Sequence, residues 1–184
     1  MVKALSIDWD KLYDKGNDYR PVSVKEIELY VAHLSNPEQQ LYLDIGCGTG
    51  QLTREMYHRG LETTGIDPSA SAIRLAQART TRNILYAQQD LHNFRLENRD
   101  QKYDVITCRL AYAFIADKKS FLQAIKSSLT TKGKLFILTP VIERTLLEKA
   151  YTAIVLHAEL PLIKQYFTAS TEEVEELVLV TCTT

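Results

Sequence analysis

Leu41-Tyr42-Leu43-Asp44-Ile45-Gly46-Cys47-Gly48-Thr49-Gly50 is a short apolar run that stops in three alternate glycines. Leu41, Tyr42, Leu43 and Ile45 read as a strand buried on both faces, and the glycines forbid its continuation. Glycine here permits positive φ and removes Cβ atoms, so a ligand can lie against backbone N–H groups. Gln51 to Arg59 can then form a helix whose N-terminus carries unpaired donors and partial positive charge. A dinucleotide fingerprint needs glycine at the first, third and sixth positions. The sixth position is Gln51, which disfavours a nicotinamide-dependent oxidoreductase.

Outward from this turn, strand and helix patterns alternate. Leu61 to Ile66 predicts a second strand ending at Asp67-Pro68, where parallel α/β folds set a carboxylate beside the ribose of a bound nucleoside. Ribose hydroxyls are donors and an ionised carboxylate accepts two of them well; the other use for Asp67 is as a helix cap. Ser69 can cap the next helix, whose light apolar face is Ala70, Ile73 and Ala76. Ile84 to Gln88 makes a third strand, with Gln89-Asp90-Leu91 at its carboxyl end. Tyr103 to Cys108 is the fourth, and Arg109 to Ala116 follows where such sheets open a cleft. Asp117 begins a helix with Phe121, Leu122, Ile125 and Leu129 on one face, ended by Thr131-Lys132-Gly133. Lys134 to Thr139 is a fifth strand, closed by Pro140.

Asp-Ile-Gly-Cys-Gly-Thr-Gly (44–50), Gly-Ile-Asp-Pro-Ser (65–69), Gln-Asp-Leu (89–91), Tyr-Asp-Val-Ile (103–106), Phe-Leu-Gln-Ala-Ile (121–125) and Leu-Thr-Thr-Lys-Gly-Lys-Leu-Phe-Ile-Leu (129–138) resemble, in order and spacing, the motifs of the class I S-adenosylmethionine-dependent methyltransferases. The resemblance covers residues 20–140 and is specific for cofactor class rather than substrate. It implies a Rossmann-like three-layer α/β sandwich with a mostly parallel sheet of order 3-2-1-4-5. It implies an enzyme that binds S-adenosylmethionine, releases S-adenosylhomocysteine and methylates a small molecule. By resemblance, Asp44, Gly46, Cys47, Gly48 and Gly50 cradle the cofactor, Asp67, Pro68 and Ser69 form the ribose loop, and Arg109 joins them at the same edge. Asp90 accepts from the exocyclic amine of adenine and the backbone of Leu91 serves a ring nitrogen. Arg20, in Tyr-Arg-Pro after an aromatic arm, matches an arginine that reaches the methionine carboxylate; an ordinary surface arginine is the other reading. Tyr13, Tyr19, His92 and Tyr112 are cleft candidates, the first two and Tyr112 being the substrate-side assignments, and Tyr112 also reads as a core tyrosine. No residue is assigned as catalytic. The absence of an Asn-Pro-Pro-Tyr or Asp-Pro-Pro-Tyr tetrapeptide after the fourth strand favours a small-molecule acceptor over nucleic acid. A non-catalytic methyltransferase-like binding or interaction module is the alternative.

The 184 residues read as a single domain, 1–184, with an arm or lid over 1–20, a cofactor-binding core over 21–140 and a helical C-terminal segment over 141–184 holding at most one further strand. Arg20-Pro21 introduces a helix with Val24, Ile27, Val31 and Leu34 on its apolar stripe, ended at Asn36-Pro37. Leu146, Leu147, Ala150, Tyr151, Ile154, Val155 and Ala158 form a helical stripe until Pro161. Thr171 to Leu177 reads as a short acidic helix, and Val178 to Cys182 as a last strand. The sheet is then short and leaves an edge to cover, or the natural chain continues. A formal net charge of −1 favours neither a polyanion nor an acidic membrane as partner, and Arg74, Arg79 and Arg82 read as a solvated helix face. Cys47, Cys108 and Cys182 are too few for a zinc motif and odd in number for a disulfide framework. His33, His58, His92 and His157 lack paired ligand spacing, so no metal is expected. Neither a secretory signal nor a span of roughly 20 apolar residues is visible, and a cytoplasmic protein follows. A homodimer stays open.

Overall fold

The computed structural model describes residues 8–16, 18–34, 36, 38, 40–80, 83–90, 101–141 and 156–184. Within them β1 (Leu41–Ile45), β2 (Glu62–Asp67), β3 (Leu85–Gln88), β4 (Tyr103–Arg109), β5 (Leu129–Pro140), β6 (Thr168–Val174) and β7 (Leu177–Thr183) form one sheet of order β3-β2-β1-β4-β5-β7-β6. The first five run parallel in the expected order. β7 lies antiparallel against β5, and β6 antiparallel against β7. The helices are α1 (Trp9–Tyr13), α2 (Val24–Ala32), α3 (Gln51–Tyr57), α4 (Ala70–Ala78), α5 (Lys118–Ser128) and α6 (Leu156–Ile163). No described helix is long and apolar enough to cross a membrane.

Side-chain alternation divides the core between the two faces of the sheet. Leu43, Ile45, Ile106, Cys108, Leu135, Ile137, Val180 and Cys182 share one buried cluster with Phe121, Leu122 and Ile125 of α5. Tyr42, Val105, Phe136, Leu138 and Leu179 share the other with Ile27 and Tyr30 of α2 and Leu52 and Met56 of α3. Because β1 is central and covered on both sides, the turn at its carboxyl end is held from every direction. Asp104 ties the opposite end, accepting from the Leu41 N–H and the Thr130 hydroxyl, each at 3.0 Å.

The C-terminal segment differs from the expectation of at most one strand and a shortened sheet. Thr171–Val174 belongs to β6, and Glu175, at φ 55°, makes with Glu176 the two-residue turn that pairs Val174 with Leu177. The run of glutamates favours a helix locally, but β6 is an edge strand whose residues 170–173 face water, where glutamate costs little and β7 supplies the partners. Pro161 lies inside α6 instead of ending a helix. Leu160, Leu162 and Ile163 pack on the sheet with Phe167, and that burial outweighs the one bond a proline removes. Of the helical stripe expected from Leu146 to Ala158, residues 146–155 lie outside the described residues and Ala158 falls in α6. At the other end α2 begins at Val24, where the Ser23 hydroxyl accepts the Glu26 N–H at 3.2 Å, rather than at Pro21. α5 stops at Ser128, and Thr131-Lys132-Gly133 belongs to the long β5, whose register against β4 shifts between Tyr103 and Val105.

Leu179 is fully buried between β5 and β6 while Glu173 is exposed on the edge. Leu179→Ala is therefore expected to lower unfolding free energy by about 2–5 kcal/mol in urea titrations, and Glu173→Ala to change it by less than about 0.5 kcal/mol. Equal effects would mean that β7 is not a core strand.

Candidate functional site

The glycine turn is stitched to the end of β2. The N–H groups of Gly46 and Cys47 both donate to the Ile66 carbonyl, at 2.8 and 3.0 Å, the Gly50 N–H donates to the Cys47 carbonyl at 2.9 Å, and the Gly48 N–H donates to Asp67 Oδ2 at 2.9 Å. These four amides hold the turn's own shape, contrary to the expectation that a ligand lies against them. The absent Cβ atoms matter more. At Gly48, φ 54°, a Cβ would sit 2.9 Å from the Tyr13 hydroxyl, and at Gly50, φ 76°, it would collide with the Tyr86 ring and hydroxyl.

Above the turn lies a cavity of ≈ 340 Å³ at the carboxyl ends of β1, β2 and β4. Its floor is Asp44, Gly46, Cys47, Gly48 and Asp67, with Pro68 and Asp90 on the β2–β3 side and Arg109, Leu110, Ala111 and Phe114 on the β4 side. Asp44 is buried, and both its oxygens are used: the Thr53 hydroxyl donates to Oδ2 at 2.7 Å and the Thr107 hydroxyl to Oδ1 at 2.8 Å. Burial raises its pKa against those two donors. Asp67 is 5% exposed and accepts one amide on each oxygen, Gly48 on Oδ2 and Ser69 on Oδ1, both at 2.9 Å. Each oxygen keeps a further lone pair. Burial pushes its pKa up to about 6, the two amides opposing the shift and the Asp44 carboxylate adding to it. Cys47 is buried in the floor, and burial and then the Asp67 charge raise its pKa, so it stands as a thiol rather than a nucleophilic thiolate.

The arm closes the cavity from outside. Asp10, Asp14 and Asp18 recur every four residues and meet α4. Asp10 accepts from the Ser69 hydroxyl at 2.6 Å and the Ser71 N–H at 3.0 Å. Asp14 takes the Ser71 hydroxyl at 2.6 Å and Arg74 at 3.1 Å. Asp18 takes Arg79 at 2.9 Å and the Thr49 hydroxyl. Arg74 and Arg79, read in the sequence as solvated, thus hold the arm, and Arg82 lies outside the described residues. Ser69 caps α4 by accepting the Ala72 N–H at 3.0 Å while donating to Asp10. It links the loop after β2 to the arm rather than lining the cavity. Trp9 meets Tyr19 and Phe114 edge-on, with centroids 5.4 and 5.1 Å apart, and Tyr13 stacks beneath it at 6.4 Å. Burial and then the Asp67 charge keep the Tyr13 phenol protonated.

Eleven of the residues singled out from the sequence therefore line one cavity: Tyr13, Tyr19, Arg20, Asp44, Gly46, Cys47, Gly48, Asp67, Pro68, Asp90 and Arg109. Gly50 and Ser69 support it from beneath. Leu91 and His92 lie outside the described residues. Tyr112 does not reach the cavity; its fully buried ring packs beside Phe121 in the core, its hydroxyl 3.4 Å from Glu159. Arg109 lines the cavity, yet its guanidinium is committed to Glu26, Nε to Oε2 at 2.6 Å and Nη2 to Oε1 at 3.2 Å. Trp9, Asp18, Thr49 and Gln51 also line the cavity without being assigned to it from the sequence, and Phe114 lies within the stretch Arg109 to Ala116 expected at the cleft. The four-residue spacing of Asp10, Asp14 and Asp18, with Trp9 and Tyr13 on the same arm, was the signal available. Leu110, at φ 56°, had none: its left-handed backbone turns the chain sharply after β4 and sends Ala111 and Phe114 to the cavity wall.

Residues 38–178 match a family described as methyltransferase domain. The chain is 32% identical over 157 residues to ubiquinone biosynthesis O-methyltransferase of Glaesserella parasuis serovar 5 (strain SH0165), covering 80% of this chain and 64% of that protein. It is 36% identical over 123 residues to the enzyme of the same name from Haemophilus ducreyi (strain 35000HP / ATCC 700724), covering 64% of this chain and 50% of that one. The chain thus spans between half and two thirds of these curated relatives. Among solved structures, an S-adenosylmethionine dependent methyltransferase from Mesorhizobium loti superposes with TM-score 0.72 at 17% identity, over 87% of this chain and 98% of that one.

Because Asp67 holds its proton more tightly in the folded protein than at its ordinary 3.8, the stability that proton confers is full below about pH 4 and lost as pH rises through about 6. Unfolding free energies measured from pH 4 to 6.5 without ligand should fall more steeply for the unmodified protein than for Asp67→Asn. Parallel curves would place the carboxylate in a wetter site than described.

Proposed function

This chain belongs to the methyltransferase domain family, and from that premise we propose that it binds S-adenosylmethionine in the cavity above the glycine turn and transfers its methyl group to a small molecule. The observation that carries the proposal is the buried Asp67 carboxylate at the end of β2, held by one amide on each oxygen and facing the cavity. A desolvated acid with spare lone pairs is a strong acceptor for two hydroxyls on adjacent ribose carbons. Asp90, also on the cavity wall, stands where it can take the adenine amine, with Leu91 beside it in sequence. Arg20, half-buried and only loosely paired with the exposed Glu176 at 3.9 Å, is suited to the methionine carboxylate. Solved methyltransferases of this fold, one of them named as S-adenosylmethionine dependent, support the choice of cofactor.

When bound, the cofactor supplies the electrophilic methyl. The chain's residues bind, orient and exclude water, because displacement at a sulfonium needs alignment more than covalent help. Asp67 and the glycine turn fix the nucleoside end, and Arg20 the amino-acid end. The ring cluster of Trp9, Tyr19 and Phe114 walls the outer cavity, so the acceptor enters beside an apolar, low-dielectric surface where Tyr13 and Tyr19 can touch it. The names of the curated relatives make an oxygen acceptor on a small molecule the first to test.

Titration calorimetry with S-adenosylhomocysteine tests the site directly. Only the ionised Asp67 takes both ribose hydroxyls, and its pKa is about 6, so affinity is expected to fall about tenfold between pH 7.5 and 5. Asp67→Ala should lose at least about tenfold at pH 7.5 and most of the pH dependence. Binding indifferent to both changes would remove Asp67 from the site, and tight binding without turnover of hydroxylated acceptors would point to a binding module.

A further inference from the structure

The link between the arm and α2 is gripped by two side chains to which the proposed chemistry gives no task. Gln51, the first residue of α3, turns its amide onto the backbone of Val22: Oε1 accepts the Val22 N–H at 2.9 Å, and Nε2 donates to the Val22 carbonyl at 3.4 Å. Arg109, locked in its pair with the buried Glu26, donates to the carbonyls of Arg20 and Pro21, each at 3.0 Å. Three consecutive residues are thus tied at their backbones to α3 and to the end of β4, directly after Tyr19 and at Arg20, whose side chains line the cavity. Gln51 occupies the position where the dinucleotide fingerprint carries glycine. A glycine there could make neither bond.

We propose that Gln51 is a positioning residue: by clamping Val22 it sets where Arg20 stands over the cavity, and through Arg20 how firmly the carboxylate end of the cofactor is held. The inference rests on the cofactor reading above and adds to it a residue that need not touch the ligand. Its physical basis is preorganisation. A clamped segment has already lost the backbone freedom that binding would otherwise have to remove. Removing the clamp therefore weakens binding without altering the methyl-transfer step, so KM rises while kcat holds.

Gln51→Met keeps an unbranched side chain of similar length and good helix propensity but makes neither hydrogen bond. Its dissociation constant for S-adenosylhomocysteine is expected to rise about fivefold at a Tm within about 2 °C of the unmodified protein. Arg20→Met alone should cost about tenfold, and Gln51→Met added to it less than a further twofold, because the two act on one contact. Additive losses, or an unchanged constant in Gln51→Met, would overturn the positioning role while leaving the cofactor reading intact. No binding by the unmodified protein would overturn both. A check needing no variant is hydrogen exchange: the Val22 amide should exchange at least about tenfold slower than an unstructured amide, and exchange at the unprotected rate sinks the clamp.

Discussion

Two backbone amides, those of Gly46 and Cys47, converge on one carbonyl, that of Ile66. This shared acceptor fuses the end of β1 to the end of β2 and leaves the glycine turn one shape to adopt. Everything in the cavity is built on it. The next amide, at Gly48, is thereby aimed at Asp67, and the loop after β2 and the glycine turn become one piece. Asp44 holds the same turn from the other side through Thr53 of α3 and Thr107 of β4. Buried acids cost desolvation free energy unless hydrogen-bonded. Asp44 and Asp67 each accept one hydrogen bond on each oxygen, and both line the cavity. They differ in their donors: Asp44 is held by hydroxyls of α3 and β4, and Asp67 by backbone amides of the glycine turn and of Ser69.

The parallel core was legible because β1, β2 and β5 are runs stopped by glycine or proline, which admit few other readings, while the mostly exposed β3, and β4, which runs on into Arg109 and Leu110, follow from the alternation of strands with helices. The cavity floor was legible for the same reason: Gly46, Gly48, Asp67 and Asp90 sit at strand ends, which right-handed crossovers collect on one edge. What failed to show in the sequence depended on tertiary contact. Arg109 reads as a cofactor residue and does line the cavity, but its pairing with Glu26, 83 residues away, is invisible in the sequence. Tyr112 follows β4 and looks like a cleft tyrosine, but the left-handed Leu110 turns the chain so that Phe114 faces the cavity and Tyr112 the core. The glutamates of β6 carry a helical preference that the sheet overrides, since an edge strand can put them in water. Periodicity reports which face of an element is apolar; it does not report which neighbour will compete for a side chain.

The arm is attached to the molecule by polar groups far more than by apolar ones. Asp10 grips the two serines at the start of α4, and Asp14 and Asp18 reach along the same helix to Arg74 and Arg79. Its aromatic residues point the other way and complete the wall of the cavity with Phe114. Trp9, Tyr13 and Tyr19 line the cavity and lie outside the sheet's two main clusters.

These attachments differ in how they respond to dissolved ions. The Asp14–Arg74 and Asp18–Arg79 pairs are partly exposed charges, and at physiological ionic strength the Debye length of about 8 Å already weakens such contacts. Asp10 bonds to a hydroxyl and a backbone amide, neutral donors that screening affects far less. Added electrolyte thus weakens the Asp14–Arg74 and Asp18–Arg79 pairs in the middle of the arm while the contacts on either side persist, Asp10 to Ser69 and Ser71 before them and the backbone ties of residues 20–22 after them. The arm's ionic attachment is the part that salt tunes, and the segment stays pinned at both ends.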